Sequence, residues 1–293
     1  MRIFVTGTRG IPDIPGGVEK HCQELYPLIV AKGHEVVVAT RKPYVRILRQ
    51  QWQGIKLQHI FAPRKKSIES IVHTFFSVLK ARFYKAEILH IHAIGPGLIV
   101  PFAKLLGMKV VVTNHGPDYN RQKWGRAAKL MLKAGEYLGA KFADRVIVIS
   151  QPIRQIIMQR CKLDPVVIAN GVTLPEKDPD TGYLKKYGLE SGKYILAVSR
   201  FVPEKGLDLL LDAFSRLDTN GYKLVISGDA DHETLYSKEL KQKISAGNDI
   251  VGTGYITGAE LNQIYSHAGL FVLPSFHEGL PISLLEAMSY DLE

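Results

Sequence analysis

Two glutamates, Glu278 and Glu286, are separated by seven residues in the stretch "PSFHEGLPISLLEAM", residues 274–288. Pro281 suits the first position of a helix, where its missing N–H has no partner to lose. Gly279 lets the chain approach a ligand closely. The free N–H groups of Gly279, Leu280 and Ile282 would then point at an anion above the helix N-terminus, such as a diphosphate. Glu278, in the loop before the helix, can accept hydrogen bonds from sugar hydroxyls. Glu286, about one and a half turns into the helix, can reach a ribose diol. Upstream, "SRFVPEKG" puts Arg200 just after an apolar run and Lys205 five residues on. One offers a bidentate fork and the other a point charge, a combination suited to clamping a diphosphate. Each element alone is ordinary surface chemistry; their joint order at successive strand ends points to a nucleotide site.

A site of this kind must be held by strands and helices in alternation, and the sequence supplies them from end to end. β-branched apolar runs occur at residues 2–6, 35–39, 56–60, 88–91, 109–113, 145–149 and 166–168, with amphipathic segments between them, such as 18–32, 67–84 and 124–142. Continuous rather than alternating apolar runs fit parallel sheets covered on both faces, the doubly wound α/β class. Residues 1–174 form one such unit. Residues 175–193, which begin inside the proline-bearing "LPEKDPDTG" of residues 174–182, read as a linker. The alternation restarts over 194–293, with strands at 194–198, 223–227, 249–252 and 270–273 and helices at 206–217, 235–246, 258–267 and 281–289. The second unit stops after one helix, at "MSYDLE", so the expectation is a C-terminally truncated chain. In doubly wound folds ligands sit beyond the carboxyl ends of the strands, and a cleft between the two units is the expected active site.

The bulk properties narrow the classes. A chain of 293 residues, 46% hydrophobic and 23% charged, suits two soluble domains. Met1-Arg2 runs directly into the first apolar run, so no secretory leader is expected, and the best membrane-span candidate, "GPGLIVPFAKLLGMKVVV", is broken by Pro101, Lys104, Gly107 and Lys109. Two cysteines, Cys22 and Cys161, make no disulfide framework, so a cytoplasmic setting is expected. Residues 1–174 carry 27 Lys and Arg against 10 Asp and Glu, a balance of +17; residues 175–293 carry 11 against 18, or −7, and together these give +10. No nucleic-acid module accompanies the basic half. Its clusters, among them Arg46, Arg64-Lys65-Lys66, Lys80-Arg82-Lys85 and Lys123, leave an anionic membrane surface as the expected partner, giving peripheral attachment to the inner face, with a merely solubilising surface as the other option.

The amino-terminal "VTGTRGIPDIPGGVEKH" raises a competing possibility, since a strand that breaks into glycines and then a helix can hold a dinucleotide. Tyr137 and Lys141 even supply the Tyr-x-x-x-Lys pair of a short-chain reductase. The third fingerprint glycine is replaced by Asp13, and such a reductase has no use for a second Rossmann-like unit. Asp229-Ala230-Asp231 spells a D-x-D metal motif, but in the wrong setting, so no metal is expected there. His90 and His92 share one face of a strand and read as hydrogen-bonded strand-end histidines, with metal ligation or acceptor contact as the other option.

From "GGVEKH" through "TNHG", "NGV" and "SRFVPEKG" to "EGLPISLLE", the chain resembles retaining glycosyltransferases of the GT-B fold, family 4, over essentially its whole length. "GTRGIP" followed by Gly16, Gly17 and Glu19 resembles a rhamnosyltransferase-like bacterial subgroup. The resemblance implies two Rossmann-like domains facing a cleft. It implies that Arg200, Lys205, Gly279 and Leu280 bind the donor diphosphate and that Glu286 binds the ribose. His115 and Glu278 would be the catalytic pair beside the donor sugar. Gly16 and Gly17 would form an acceptor-side loop steadied by Glu19. The implied reaction moves a sugar from a nucleotide-diphosphate donor to a hydroxyl of a glycan or lipid-linked acceptor, with retention and without metal or cofactor. The alternatives are a non-hydrolysing sugar-nucleotide epimerase and a nucleotide-binding module without turnover.

Overall fold

The computed structural model describes residues 1–45, 47–63, 68–120, 124–230 and 233–293. Arg46, Arg64, Lys65, Lys66, Ser67, Lys123 and Asp231, which enter the readings above, lie outside the described residues. The chain divides into two compact units, Met1–Gly171 and Val172–Glu293, three residues before the expected boundary at 174.

The first unit runs β1 (Arg2–Thr6), α1 (Gly17–Ala31), β2 (Glu35–Arg41), β3 (Gln51–Trp52), β4 (Ile55–Ile60), α2 (Glu69–Phe83), β5 (Ile88–His92), α3 (Val100–Leu105), β6 (Val110–Asn114), α4 (Arg126–Phe142), β7 (Arg145–Val148), α5 (Gln151–Cys161) and β8 (Val166–Val167). Its sheet has the order β3-β4-β2-β1-β5-β6-β7-β8. All neighbours are parallel except β3 and β4. That antiparallel pair turns through Gln53 and Gly54, both at positive φ, as a two-residue hairpin with the strand twist requires. The alternation of side chains along β1 decides the two cores. Ile3 and Val5 pack with Cys22 and Tyr26 of α1, whereas Phe4 joins Val78 and Ala81 of α2 and Val100 and Ala103 of α3. The apolar run 95–112 is thus a 3-10 turn, α3 and β6, and no helix among the described residues is long and apolar enough to cross a membrane.

The second unit runs α6 (Gly182–Lys186), β9 (Tyr194–Val198), α7 (Leu207–Phe214), β10 (Lys223–Ser227), α8 (Leu235–Ala246), β11 (Ile250–Gly254), α9 (Gly258–Ser266), β12 (Leu270–Phe271) and α10 (Ile282–Ser289), around a parallel sheet of order β11-β10-β9-β12. Leu224 and Ile226 face α7 and α8; Val225 faces α9 and α10. The stretch read as a linker is part of this unit. Leu184 and Leu189 are buried in its core, and the N–H groups of Asp178 and Tyr183 donate to Ser266 Oγ and Gln263 Oε1 of α9. Two leucines among polar neighbours anchor a segment whose composition alone reads as solvent-exposed.

Candidate functional site

Each sheet has one point where the chain reverses its direction of travel across the strands, and there the loops leaving neighbouring parallel strands part to form a crevice. In the second unit this point lies between β9 and β12. The loop after β9 carries Arg200 and Lys205, and the loop after β12 carries Glu278, Gly279 and Leu280. The two loops are fastened together: Phe276 N–H donates to the Glu204 carbonyl at 3.1 Å, and a Cβ on Gly206 would lie 2.4 Å from the Pro274 carbonyl oxygen. Gly206 also has φ +62°, so glycine is required there twice over. Across this seam the Lys205 ammonium donates to the Glu278 carboxylate in a short ion pair, with the two side chains 16% and 25% exposed. The sequence assigned these residues different ligand groups; the structure makes them direct partners. Pro281 caps α10 from an extended conformation rather than occupying its first turn, and the helix begins at Ile282. The N–H groups of the first turn of α10 lack intrahelical acceptors and form the positive end of its dipole. Glu286 lies one turn further in, where the Tyr265 hydroxyl donates to it at 3.4 Å.

In the first unit the corresponding point lies between β1 and β5. Gly7 follows β1 with φ +94°, and a Cβ there would stand 2.1 Å from the His92 carbonyl oxygen at the end of β5. The loop beyond it is tied down by Glu19 of α1. That buried carboxylate accepts from Thr8 Oγ1 at 3.2 Å, Arg9 N–H at 2.8 Å and Arg9 Nε at 3.4 Å. Gly16 has φ +141°, and its missing side chain leaves room for Glu19 Oε2 and Arg9 Nη2. Gly17, expected as its equal, opens α1 with free space around its Cα. Gly7 and Gly10, the first two glycines of the amino-terminal turn, are held at least as strictly as Gly16. Gly10 has φ +134° and abuts Thr40.

Beside this loop is a string of buried imidazoles. The Tyr26 hydroxyl lies 2.9 Å from His90 Nδ1 and 2.6 Å from His92 Nε2; His90 Nε2 lies 2.7 Å from Thr113 Oγ1; His92 Nδ1 lies 3.0 Å from His115 Nε2. His21 of α1 packs edge-on to His92 and His115, with ring centroids 5.6 and 5.1 Å away. Burial, reinforced by the neighbouring imidazoles, holds His92 and His115 well below the ordinary histidine range, and burial brings His90 down to about 3. One ring nitrogen from each of His21, His92 and His115 lies within 4.8 Å of the other two. Sequence reading found His90, His92 and His115 but gave His21 and Tyr26 no role. The signal available was the ending of two apolar runs in "LHIH" and "TNH", which β5 and β6 bring side by side.

Of the remaining candidates, Tyr137 and Lys141 form an exposed pair along α4, 3.4 Å apart, as their amphipathic spacing requires. Asp229 pairs with Lys241 at 2.7 Å. Cys22 and Cys161 are free thiols, the first buried and the second partly so.

The sequence model of Glycosyltransferase Family 4 matches residues 15–175, more than half of the chain. The chain belongs to that family. A second model, glycosyl transferases group 1, matches residues 182–292. An uncharacterized glycosyltransferase of Methanocaldococcus jannaschii, MJ1607, is 26% identical over 99% of this chain and 78% of its own length. The UDP-Gal:alpha-D-GlcNAc-diphosphoundecaprenol alpha-1,3-galactosyltransferase of Escherichia coli is 27% identical over 78% of this chain and 61% of its own length. The Anabaena protein HepE, crystallised with UDP-glucose, superposes with a TM-score of 0.78 at 19% identity, covering 99% of this chain and 78% of that one. The fold of this glycosyltransferase is GT-B, built of two Rossmann-like domains.

Proposed function

We propose that this glycosyltransferase moves a sugar from a nucleoside-diphosphate sugar to a hydroxyl of a lipid-linked glycan or glycolipid, with retention at the anomeric carbon and without a metal, as part of cell-surface polysaccharide or glycolipid synthesis. The observation that carries the reading is the Lys205–Glu278 pair at the switch point of the second sheet, next to the N-terminus of α10. A diphosphate entering there replaces the carboxylate as the ammonium's partner and meets the positive end of the helix. Arg200, Gly279 and Leu280 complete the diphosphate site, the released Glu278 turns to the sugar hydroxyls, and Glu286 takes the ribose.

In the reaction the bond between the anomeric carbon and the diphosphate oxygen breaks, the bond to the acceptor oxygen forms, and the acceptor's proton passes to the departing diphosphate. Lys205 and the helix dipole stabilise the growing charge, a contribution that acts where charge develops. His115, neutral because it is buried, serves the reacting centre as a hydrogen-bonding group, and the Gly16–Glu19 loop serves the acceptor. The lipid-linked acceptor is supported by the acceptor named for the E. coli relative. It is also supported by a surface pocket of the first unit lined by Arg82, Lys85 and Lys109 together with Glu87, and by the exposed Phe83 and Leu105 next in sequence to lining residues. Basic residues near an anionic bilayer contribute about 1 kcal/mol each.

The test is calorimetric binding of nucleotide sugars to Lys205→Ala and Glu286→Ala. A charge-assisted contact contributes about 1.5–3 kcal/mol, so each variant should bind the donor about 10- to 100-fold more weakly with its fold intact. Unchanged affinity in both removes the donor site. Nucleotide release should require an added acceptor and quicken when that acceptor is in anionic rather than zwitterionic vesicles. Epimerised donor appearing without any acceptor would replace this reading with the epimerase.

A further inference from the structure

We infer that His21, His92 and His115 form a binding site for a divalent cation of the Zn2+ class. The three side chains come from separate elements: α1, the last residue of β5, and the residue after β6. Their ligand atoms gather within 4.8 Å, and the tightest pair, His92 Nδ1 and His115 Nε2, is 3.0 Å apart. Zn–N bonds of about 2.0–2.1 Å place neighbouring tetrahedral ligands about 3.4 Å apart, so this pair need open by only about 0.4 Å. The planes of His92 and His115 differ by 29°, while His21 meets them at 62° and 73°.

The surroundings also hold the ligand rings in place. The Tyr26 hydroxyl, with one proton, stands between His90 Nδ1 and His92 Nε2. One of the two rings must donate to it and the other accept. When His92 donates from Nε2, Tyr26 passes its proton on to His90, His90 donates to Thr113, and His92 Nδ1 presents a lone pair toward His115. That is the outer support a metal-bound histidine ordinarily has. An all-imidazole set suits Zn2+, Cu2+, Ni2+ and Co2+ rather than Mg2+ or Ca2+. Three protein ligands leave a fourth position open. On the functional reading above, on which this consequence rests, an ion here holds His115 away from the reacting centre and inhibits transfer.

The experiment is a Co2+ titration of the whole chain followed by visible absorption, since low-coordinate Co2+ absorbs far more strongly than the hexahydrated ion. A saturable 1:1 signal displaced by Zn2+ is expected. It should weaken at least about 10-fold in Tyr26→Phe, which removes the outer support, and vanish in His21→Gln and in His92→Gln, while His34→Gln and His59→Gln leave it unchanged. Circular dichroism establishes that each variant is folded, and if His92→Gln fails, His21→Gln carries the test alone. No 1:1 signal, or one that survives His21→Gln, overturns the site. The spectrum requires no turnover, so its failure is separate from failure of the transferase reading. In the transfer assay Zn2+ should inhibit the native chain but not His21→Gln; equal inhibition of both overturns the link to His115.

Discussion

His73 offers the sharpest quantitative check on the energetics of the first unit. It lies on the inner face of α2, completely buried, and neither ring nitrogen has a hydrogen-bond partner of good geometry. Burial comes first in lowering it to about 3, the Arg41 guanidinium adds to this, and the Thr40 backbone gives only a weak opposing contact. Arg41 is itself paired with Glu69 at 2.9 Å, whose other oxygen accepts from Tyr44. Because the folded ring resists protonation and the unfolded ring titrates near 6.5, the unfolded state binds more protons below that value. The stability His73 confers is therefore complete above pH 6.5 and drains away as pH falls toward 3. Between pH 7 and pH 5 the loss is about 2 kcal/mol, a large part of a typical domain's margin of about 5–15 kcal/mol.

His73→Leu removes the titrating group and two unpaired polar atoms while keeping most of the volume, so at pH 7 it should be close to neutral or stabilising. Urea unfolding followed by tryptophan fluorescence isolates the event, since both tryptophans, Trp52 and Trp124, belong to the first unit. The variant's stability relative to wild type should rise by about 2 kcal/mol on going from pH 7 to pH 5. Parallel curves for the two proteins across that range would show that His73 is solvated or protonated in the folded state, and the burial argument would be wrong.

Two substitutions test the seams that hold the loops. Glu19→Ala strips Thr8 and the Arg9 N–H of their acceptor and breaks the Arg9–Glu19 ion pair. It should lower the stability of the first unit by about 3 kcal/mol, or about 6–12 °C in a tryptophan-monitored melt, and a shift under 2 °C would refute the role given to Glu19. Gly206→Ala forces a methyl against the Pro274 carbonyl and a left-handed conformation on alanine. Donor binding measured by calorimetry should fall about 10-fold or more, the weight of a contact of about 1.4 kcal/mol, and undiminished binding would detach that seam from the site.

The alternation of apolar runs located the strands well because a buried parallel strand must be apolar on both faces. The runs at 2–6, 194–198 and 223–227 match β1, β9 and β10 residue for residue, and helix α8 matches 235–246. What escaped was whatever depends on contacts distant in sequence. Leu184 and Leu189 belong to a core built by α9 and β12, roughly 80 residues on, so their polar neighbourhood dominated the reading. The β3–β4 hairpin is two residues on each side, too short for a period to show. At the site, Arg200, Lys205, Glu278 and Glu286 were legible as residue types at strand ends, but the Lys205–Glu278 pair was not, since spacing along one loop carries no information about a partner 73 residues away. The imidazole cluster was hidden for the same reason: it needs α1, β5 and β6 at once.

The two switch points place the opening glycine turn in a different light. In both, a glycine at positive φ lies against a carbonyl of the loop or strand end opposite, Gly7 on His92 and Gly206 on Pro274. In both, a cation and a carboxylate stand near that seam, Arg9 with Glu19 and Lys205 with Glu278. The pairs differ in how completely each carboxylate is engaged. Glu19 is 7% exposed and accepts three bonds, one of them from the Arg9 backbone N–H, so an arriving anion would gain the Arg9 guanidinium only by displacing a carboxylate that also holds Thr8 and that N–H. Glu278 is 25% exposed and is held through its pair with Lys205, so water can take its place when it turns away. The same geometry therefore makes a closed structural latch in the first unit and an exchangeable anion site in the second. Reversing the asymmetry is a direct check: the Glu19→Ala chain, stripped of its latch, should acquire a weak phosphate site at Arg9, visible as a chemical-shift change of that guanidinium, whereas the native chain should not.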